Sequence, residues 1–213
     1  MRAVALLSGG LDSGVAAATF ARAPGQQLLG CLFVDYGQRA ARREADAAAR
    51  LAARLGAPLL TLALPWLGAL AQRSGSRLVG AADLPHGTPR TPGDAASARA
   101  VWVPARNVVF VAAAAAHAEA LGADAVVAGF NREEAATFPD NSVAFVQACD
   151  EVLRHGTRNG VRVVSPTLPL DKPAIVAAAR ELGFVAGDFW SCYDGGEEPC
   201  GRCESCLRSR WVR

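Results

Sequence analysis

The sequence predicts an α/β domain, a doubly wound parallel sheet of five strands, with a small metal-binding element at its C-terminal end. Three observations predict it. Strand-length apolar runs alternate with helix-length segments along most of the chain, the signature of βαβ units and a right-handed parallel sheet. The first run, residues 3–7, passes into Ser8-Gly9-Gly10, a strand-to-helix turn that can gather backbone N–H groups and a positive helix end around one anion. Four of the six cysteines fall within the last 22 residues.

Composition narrows the class further. A chain of 213 residues can bury roughly 70 % of its unfolded surface in one core. Hydrophobic residues at 51 % against 20 % charged are globular proportions. No apolar span reaches the length of about 18 residues that a membrane helix needs. No secretory leader pattern opens the sequence, so the expected compartment is the cytosol and the expectation is no membrane partner. A formal charge of +2 provides no field for nucleic acid, and no stable nucleic-acid partner is expected. The arginines gathered at the end (Arg202, Arg208, Arg210, Arg213) read as a solvated face. In a reducing compartment, six cysteines point to metal or chemistry rather than disulfides.

Taken in order, residues 14–22 form the first helix, with Asp12 and Ser13 offering side-chain oxygens to its unpaired N–H groups and Pro24-Gly25 ending it. Residues 28–34 are a near-continuous apolar run, as in a strand covered on both faces. Its end, Asp35-Tyr36-Gly37-Gln38-Arg39, is a second functional edge, because ligands of open α/β sheets sit at the carboxyl ends of strands. Charges at helical period through 38–55 give a scaffold helix stopped by Gly56, and 58–64 give the third strand. Residues 65–103 break the rhythm with prolines, glycines and small polar residues. They read as a long loop with a mobile part near 74–93, where His86 is a solvated side chain.

Val103-Pro104-Ala105-Arg106-Asn107 opens a helix apolar on nearly all sides, ending at Gly122. Arg106 and Asn107 at the start of a buried helix are conspicuous: the arginine either meets a phosphate or carboxylate with its fork or makes a structural ion pair. Residues 125–129 give the fourth strand, and Gly129-Phe130-Asn131 continues off its end. In the turn at 137–142, Asp140 or Asn141 caps the next helix. Residues 161–164 give the fifth strand. Asp171 caps the last helix, and Lys172, unfavourable to that helix dipole, implies an anionic partner such as phosphate.

The tail reads Cys192-x7-Cys200-x2-Cys203-x2-Cys206, with glycines and a proline supplying turns. Four thiolates at this spacing suit one tetrahedral Zn²⁺ in a closed structural site, with an iron–sulfur cluster as the rival. Cys31 and Cys149 read as buried packing.

Ser8-Gly9-Gly10-Leu11-Asp12-Ser13 resembles the pyrophosphate loop of the N-type ATP pyrophosphatases. Together with Val34 to Arg39, Val103 to Asn107, Gly129 to Asp140, Lys172 and the cysteine tail, it resembles the 7-cyano-7-deazaguanine synthases of that superfamily. The resemblance implies a Rossmann-like, adenine nucleotide alpha hydrolase-like body at 1–183 with the zinc segment at 184–213. It implies an ATP-dependent carbon–nitrogen ligase that converts 7-carboxy-7-deazaguanine and ammonia to the 7-cyano product, with ATP, Mg²⁺ and Zn²⁺, as a homodimer. By the same resemblance, Ser8 to Ser13 with Val34, Tyr36, Gln38 and Arg39 hold ATP, and Ser8, Asp12, Ser13, Arg106 and Lys172 serve the phosphoryl chemistry. Arg106, Asn107, Gly129, Asn131, Phe138 and Asp140 hold the deazapurine. In one place the sequence departs: Phe138-Pro139-Asp140 is followed by Asn141-Ser142 where the family commonly has Cys-Arg, so a different carboxylate contact or another acyl group would show itself there. A tRNA-thiolating relative would need a reactive cysteine or cluster, and an inactive nucleotide- or zinc-binding module would keep the fold alone.

Overall fold

The computed structural model describes residues 1–84 and 95–208. Five strands, β1 (Arg2–Leu6), β2 (Gln27–Asp35), β3 (Leu59–Ala63), β4 (Ala125–Val127) and β5 (Arg162–Val164), form one all-parallel sheet in the order β3-β2-β1-β4-β5. Alternation along the central strands decides the two faces. Ala3, Ala5, Cys31, Phe33 and Val127 point to one core and Val4, Leu32, Val34 and Val126 to the other, all buried.

The first face is covered by α1 (Leu11–Arg22), α2 (Ala41–Arg54) and α8 (Lys172–Glu181), which contribute Val15, Phe20, Leu51 and Ile175. The second is covered by α5 (Arg106–Ala120) and α7 (Val143–Gly156), with Val111, Ala114 and Leu153. The chain therefore winds outward through β1, β2 and β3, returns, and winds the other way through β4 and β5. The order reverses between β1 and β4, and the crevice outside their carboxyl ends is where such sheets bind ligands.

Four local expectations change. Residues 65–103 are not one long loop: Pro65 sits at the start of a helix, α3 (Pro65–Arg73), and α4 (Ala95–Ala100) follows later. The expected mobile stretch and His86 fall largely at 85–94, outside the described residues. Helix α5 is not apolar-buried all round, since Val108 is 51 % exposed and only the stripe through Val111, Ala114, Ala115 and Ala118 meets the sheet. The first helix starts at Leu11 with Gly10 as its cap and no side-chain cap bond, so Asp12 and Ser13 lie inside its first turn. Finally, Ser142 caps α7, its hydroxyl accepting from the Phe145 N–H at 3.1 Å, rather than Asp140 or Asn141. A shorter helix, α6 (Arg132–Ala135), precedes that turn, and α9 (Glu204–Arg208) closes the cysteine segment. Among the described residues no helix is long and apolar enough to cross a membrane.

Candidate functional site

Two adjoining cavities, each about 270 Å³, open at the carboxyl ends of β1 and β4. They share Ser8, Gly10 and Asp12 of the first loop, Glu44 of α2, Arg106 of α5, and Gly129 and Asn141. One, the strand-end cavity, is walled by Leu7, Val34, Tyr36, Gln38 and Phe110. The other, the tail-side cavity, is walled by Trp102, Asn131, Phe138, Asp140, Lys172 and Tyr193. Most of the predicted site residues are thus brought to one crevice, divided between two chambers that meet at the loop.

The loop is preorganised by its own serines. Ser13 Oγ donates to the Gly10 carbonyl at 3.1 Å and accepts from the Ser8 N–H at 3.2 Å, and it lies 3.0 Å from Ser8 Oγ. The Gly14 N–H closes the first helical turn on Gly10, which leaves the N–H groups of Leu11, Asp12 and Ser13 outside the helical ladder, at the positive end of a 12-residue helix. These donors suit a phosphate. Gly9 faces neither cavity: at φ 80° it packs against the Glu44 carbonyl of α2, where a Cβ would collide. Gly129 plays a similar part from β4, because a Cβ there would stand 2.5 Å from the Ser13 nitrogen. The close approach of strand end to helix start puts the two cavity walls side by side.

Lys172 finds its anion in the protein. Its Nζ donates to both Asp12 oxygens, at 2.7 and 3.0 Å, with both side chains largely shielded. Among the described residues, the anion that meets Lys172 is the loop's own carboxylate. Asp171 caps α8 as expected, accepting from the Ala174 N–H at 3.1 Å.

Arg106 enters from a strained position. The preceding Ala105 has φ 52°, the only positive φ outside glycine among the described residues, a conformation that costs about 1–2 kcal/mol. The guanidinium is hydrogen-bonded to Tyr36. Burial opposes its charge, but Tyr36, Asp140 and Tyr193 more than offset that and hold it protonated. The same burial pushes the Asp140 carboxyl up, against the pull of Arg106 and Asn141. Asn107 is a brace: its Nδ2 donates to the Asp140 carbonyl at 3.1 Å. Asn131 is fully buried and its Oδ1 caps α6 through the Glu134 N–H, while its Nδ2 has no partner among the described residues.

Gln38 is a buried pin, accepting from the Tyr36 N–H and donating to the Val34 carbonyl and to Glu44 Oε2. Arg39 lies outside both cavities: it ties the tail to the body through the Ala82 carbonyl at 2.7 Å and Asp194 at 3.1 Å. The tail also docks on the loop itself, where the Trp190 N–H donates to the Gly9 carbonyl and Arg43 stacks over the Trp190 ring.

The cysteines fit a single metal ion. The four Sγ atoms of Cys192, Cys200, Cys203 and Cys206 lie within 4.8 Å of one another, and a tetrahedral ion with bonds of about 2.3 Å needs sulfurs about 3.8 Å apart. Backbone N–H groups already point at three of the sulfurs, at 3.3–3.4 Å. The Cys203 thiol and the N–H groups of Cys200 and Asp194, working against burial, pull the Cys192 thiol down from its ordinary value, in the direction that a metal ligand needs. Cys31, by contrast, is pushed up to about 12 by burial, as an inert packing residue should be.

Glu44, Trp102 and Tyr193 escape sequence reasoning, whereas Asn141 lies at the turn where the sequence departs from the family and does line both cavities. Glu44 hides within a polar helical stripe. The available signal is its position: the first turn after β2 must face the ligand edge.

The fold is a doubly wound parallel α/β domain with a two-chambered crevice at the switch point of its sheet. Two solved structures share the fold. A 4-thiouridine synthetase–RNA complex with bound ATP matches with a TM-score of 0.55 and 20 % identity, over 99 % of this chain and 50 % of that one. The U34-tRNA thiolase NcsA from Methanococcus maripaludis, with its [4Fe-4S] cluster, matches with a TM-score of 0.52 and 16 % identity, over 86 % and 57 %. In sequence, the family described as queuosine biosynthesis protein QueC matches residues 2–211. The 7-cyano-7-deazaguanine synthases of Desulforudis audaxviator and Methanothermobacter thermautotrophicus are 47 % and 44 % identical, covering 98 % and 99 % of this chain and 94 % and 93 % of theirs. The chain belongs to the QueC family.

Proposed function

We propose that the protein is an ATP-dependent carbon–nitrogen ligase of the cytosol that converts 7-carboxy-7-deazaguanine and ammonia to 7-cyano-7-deazaguanine, consuming two ATP. The relatives that bear the synthase name support the reaction. The observation that carries the reading is the pair of cavities joined at the loop. A carboxylate becomes reactive when its oxygen attacks the α-phosphate of ATP and pyrophosphate leaves. That requires two ligands whose reacting atoms meet at one point, with the remainder of each in its own chamber.

The strand-end chamber, apolar at Leu7, Val34 and Phe110, suits adenosine. The tail-side chamber offers the rings of Trp102 and Phe138, stacked at 6.2 Å, and the polar Asn131 and Asp140, which suit a planar deazapurine. At the junction the loop N–H groups and Ser8 hold the phosphates, and Arg106 neutralises the charge that develops there. Lys172 transfers from Asp12 to the leaving pyrophosphate when ATP arrives. Mg²⁺ would accompany the triphosphate and stabilise its charge. The four cysteines would hold Zn²⁺ as a closed structural ion, with no open position for a reacting water.

Catalysis here is positioning plus charge stabilisation, with no covalent intermediate on the protein. The test is incubation of the pure protein with ATP, ammonium and the carboxy-deazaguanine, read by mass spectrometry. The nitrile with two AMP per turnover is expected. AMP formation with other carboxylates but not with this one would reject the substrate, and no AMP with any carboxylate would reject the enzyme.

A further inference from the structure

If the site makes a nitrile as proposed, nitrogen must shed protons twice. In the first half, ammonia forms a C–N bond at the adenylated carboxyl carbon, the C–O bond to AMP breaks with its electron pair, and nitrogen gives up one proton to become the amide. In the second, the amide oxygen attacks a second ATP and displaces pyrophosphate. The resulting imidate loses its N–H protons as the C–O bond breaks toward AMP and the C≡N bond forms. The loop donors, Arg106 and Lys172 supply positive charge and N–H groups, and none of them accepts a proton from nitrogen at neutral pH.

Glu44 stands where such an acceptor is needed. It is one of two carboxylates, with Asp12, that line both cavities, and Asp12 lies within the phosphate loop beside Lys172, in the place given to the triphosphate. Its placement is rigid at both ends. The backbone carbonyl packs against Gly9, so the phosphate loop and this side chain are located by the same helical turn. The carboxylate is held at Oε2 by Gln38 Nε2 at 2.8 Å, and Gln38, only 7 % exposed, is itself locked between Tyr36 and Val34. This length of support is out of place for a surface glutamate in a polar stripe, and it suits a group that has to stay put while two ligands change beside it. We propose that Glu44 is the general base of the reaction, taking the proton from nitrogen at the cavity junction in both the amide-forming and the nitrile-forming steps.

The groups around it set its working range. Burial pushes the Glu44 carboxyl up, Asp35 adds to the rise, and Gln38 and Arg106 pull the other way; Tyr36 faces it from the end of β2 and Asp12 from α1 across the cavity. The net upward direction brings the acid closer to neutral pH, where a general base works best. As the conjugate base is the active form, nitrile formation should rise with pH through the elevated value of Glu44 and level off above it.

The test separates activation from nitrogen chemistry. Carboxylate-dependent ATP–pyrophosphate exchange without ammonium reports adenylation alone, and nitrile formation with ammonium across a pH series reports the whole. For Glu44→Gln, exchange within about threefold of the parent is expected, with nitrile formation down by about 10²–10⁴-fold and the rising acid limb gone. Glu44→Asp, an acid one methylene shorter, should keep exchange and recover part of the rate together with the limb. Nitrile formation within about threefold of the parent in Glu44→Gln, or equal loss of exchange and nitrile in both variants, would overturn the assignment. If the unaltered protein shows no carboxylate-dependent exchange, the function reading itself fails, and the nitrogen chemistry given to Glu44 falls with it.

Discussion

The two chambers of the site are built from different material. The strand-end chamber is walled by regular elements, the ends of β1, β2 and β4 and the first turns of α1, α2 and α5, whose buried faces belong to the main cores. The tail-side chamber is walled by irregular segments: Trp102 and Val103 before α5, the 3₁₀ turn Pro139–Asn141, and Trp190 to Tyr193 of the tail. The tail is held by a satellite cluster around the cysteines and by a few bonds to the loop and to Arg39, and Val103 and Phe138 pack in another small cluster with Tyr36 and Leu67. In the proposed reaction the sheet would place the nucleotide, and the attached pieces would select the carboxylate joined to it. The difference predicts that lesions of the junction silence both chambers, whereas lesions of the tail silence one.

The largest effect should come from the junction. Asp12→Asn removes one of the two carboxylates shared by both cavities and releases Lys172, and it is expected to lower both pyrophosphate exchange and nitrile formation by about 10²–10³-fold or more. Metal content and circular dichroism should stay as in the parent, because the lost ion pair lies at the site and outside the cores. Retained turnover would remove Asp12 from the chemistry.

Next comes the tail. Cys203→Ser opens the metal site at its most buried ligand, and the expected cost is about 3 kcal/mol, or about 6–12 °C in Tm. Binding of the carboxylate substrate should weaken by about tenfold, about 1.4 kcal/mol, with ATP affinity measured by calorimetry changed by less than that. Equal loss of both ligands would dissolve the distinction between the chambers.

The smallest effect is expected at Ser142. Its hydroxyl caps α7 and also donates to the Pro139 carbonyl at 2.7 Å. Ser142→Ala should cost about 1 kcal/mol, or about 2–4 °C in Tm, while KM for both substrates stays unchanged. A rise in KM for the carboxylate alone would move Ser142 from the helix end into the tail-side chamber.

The same contrast explains what was legible in the sequence. The sheet and its covering helices could be read because period-2 and period-3.6 patterns report burial on one face, as at Ala3, Ala5 and Val4 or along Val111, Ala114 and Ala118. The loop could be read as a strand-to-helix turn because a glycine pair after an apolar run marks one. Helix α3 was missed because its nine residues begin with Pro65 and carry Gly68, features that resemble a turn until Leu67 and Ala71 are seen buried together. The expectation that Asp140 or Asn141 caps α7 gives way to Ser142, because a local pattern cannot tell a side chain that bonds its own helix from one that faces a cavity. Lys172 at a helix start announces the need for an anion, but its pairing with Asp12, 160 positions away, is a long-range fact that no local pattern carries. Glu44 and Tyr193 enter the site through tertiary packing, and the one local signal is that Glu44 lies in the first turn after β2.

The central claim is that the α-phosphate of ATP in one chamber meets the carboxylate in the other at the loop. Its most direct measurement is the fate of oxygen. With both carboxylate oxygens of 7-carboxy-7-deazaguanine labelled with ¹⁸O, the account predicts that the nitrile forms without label and that each of the two AMP molecules released carries one ¹⁸O. AMP that carries oxygen from the solvent, with the label left in free carboxylate, would contradict it.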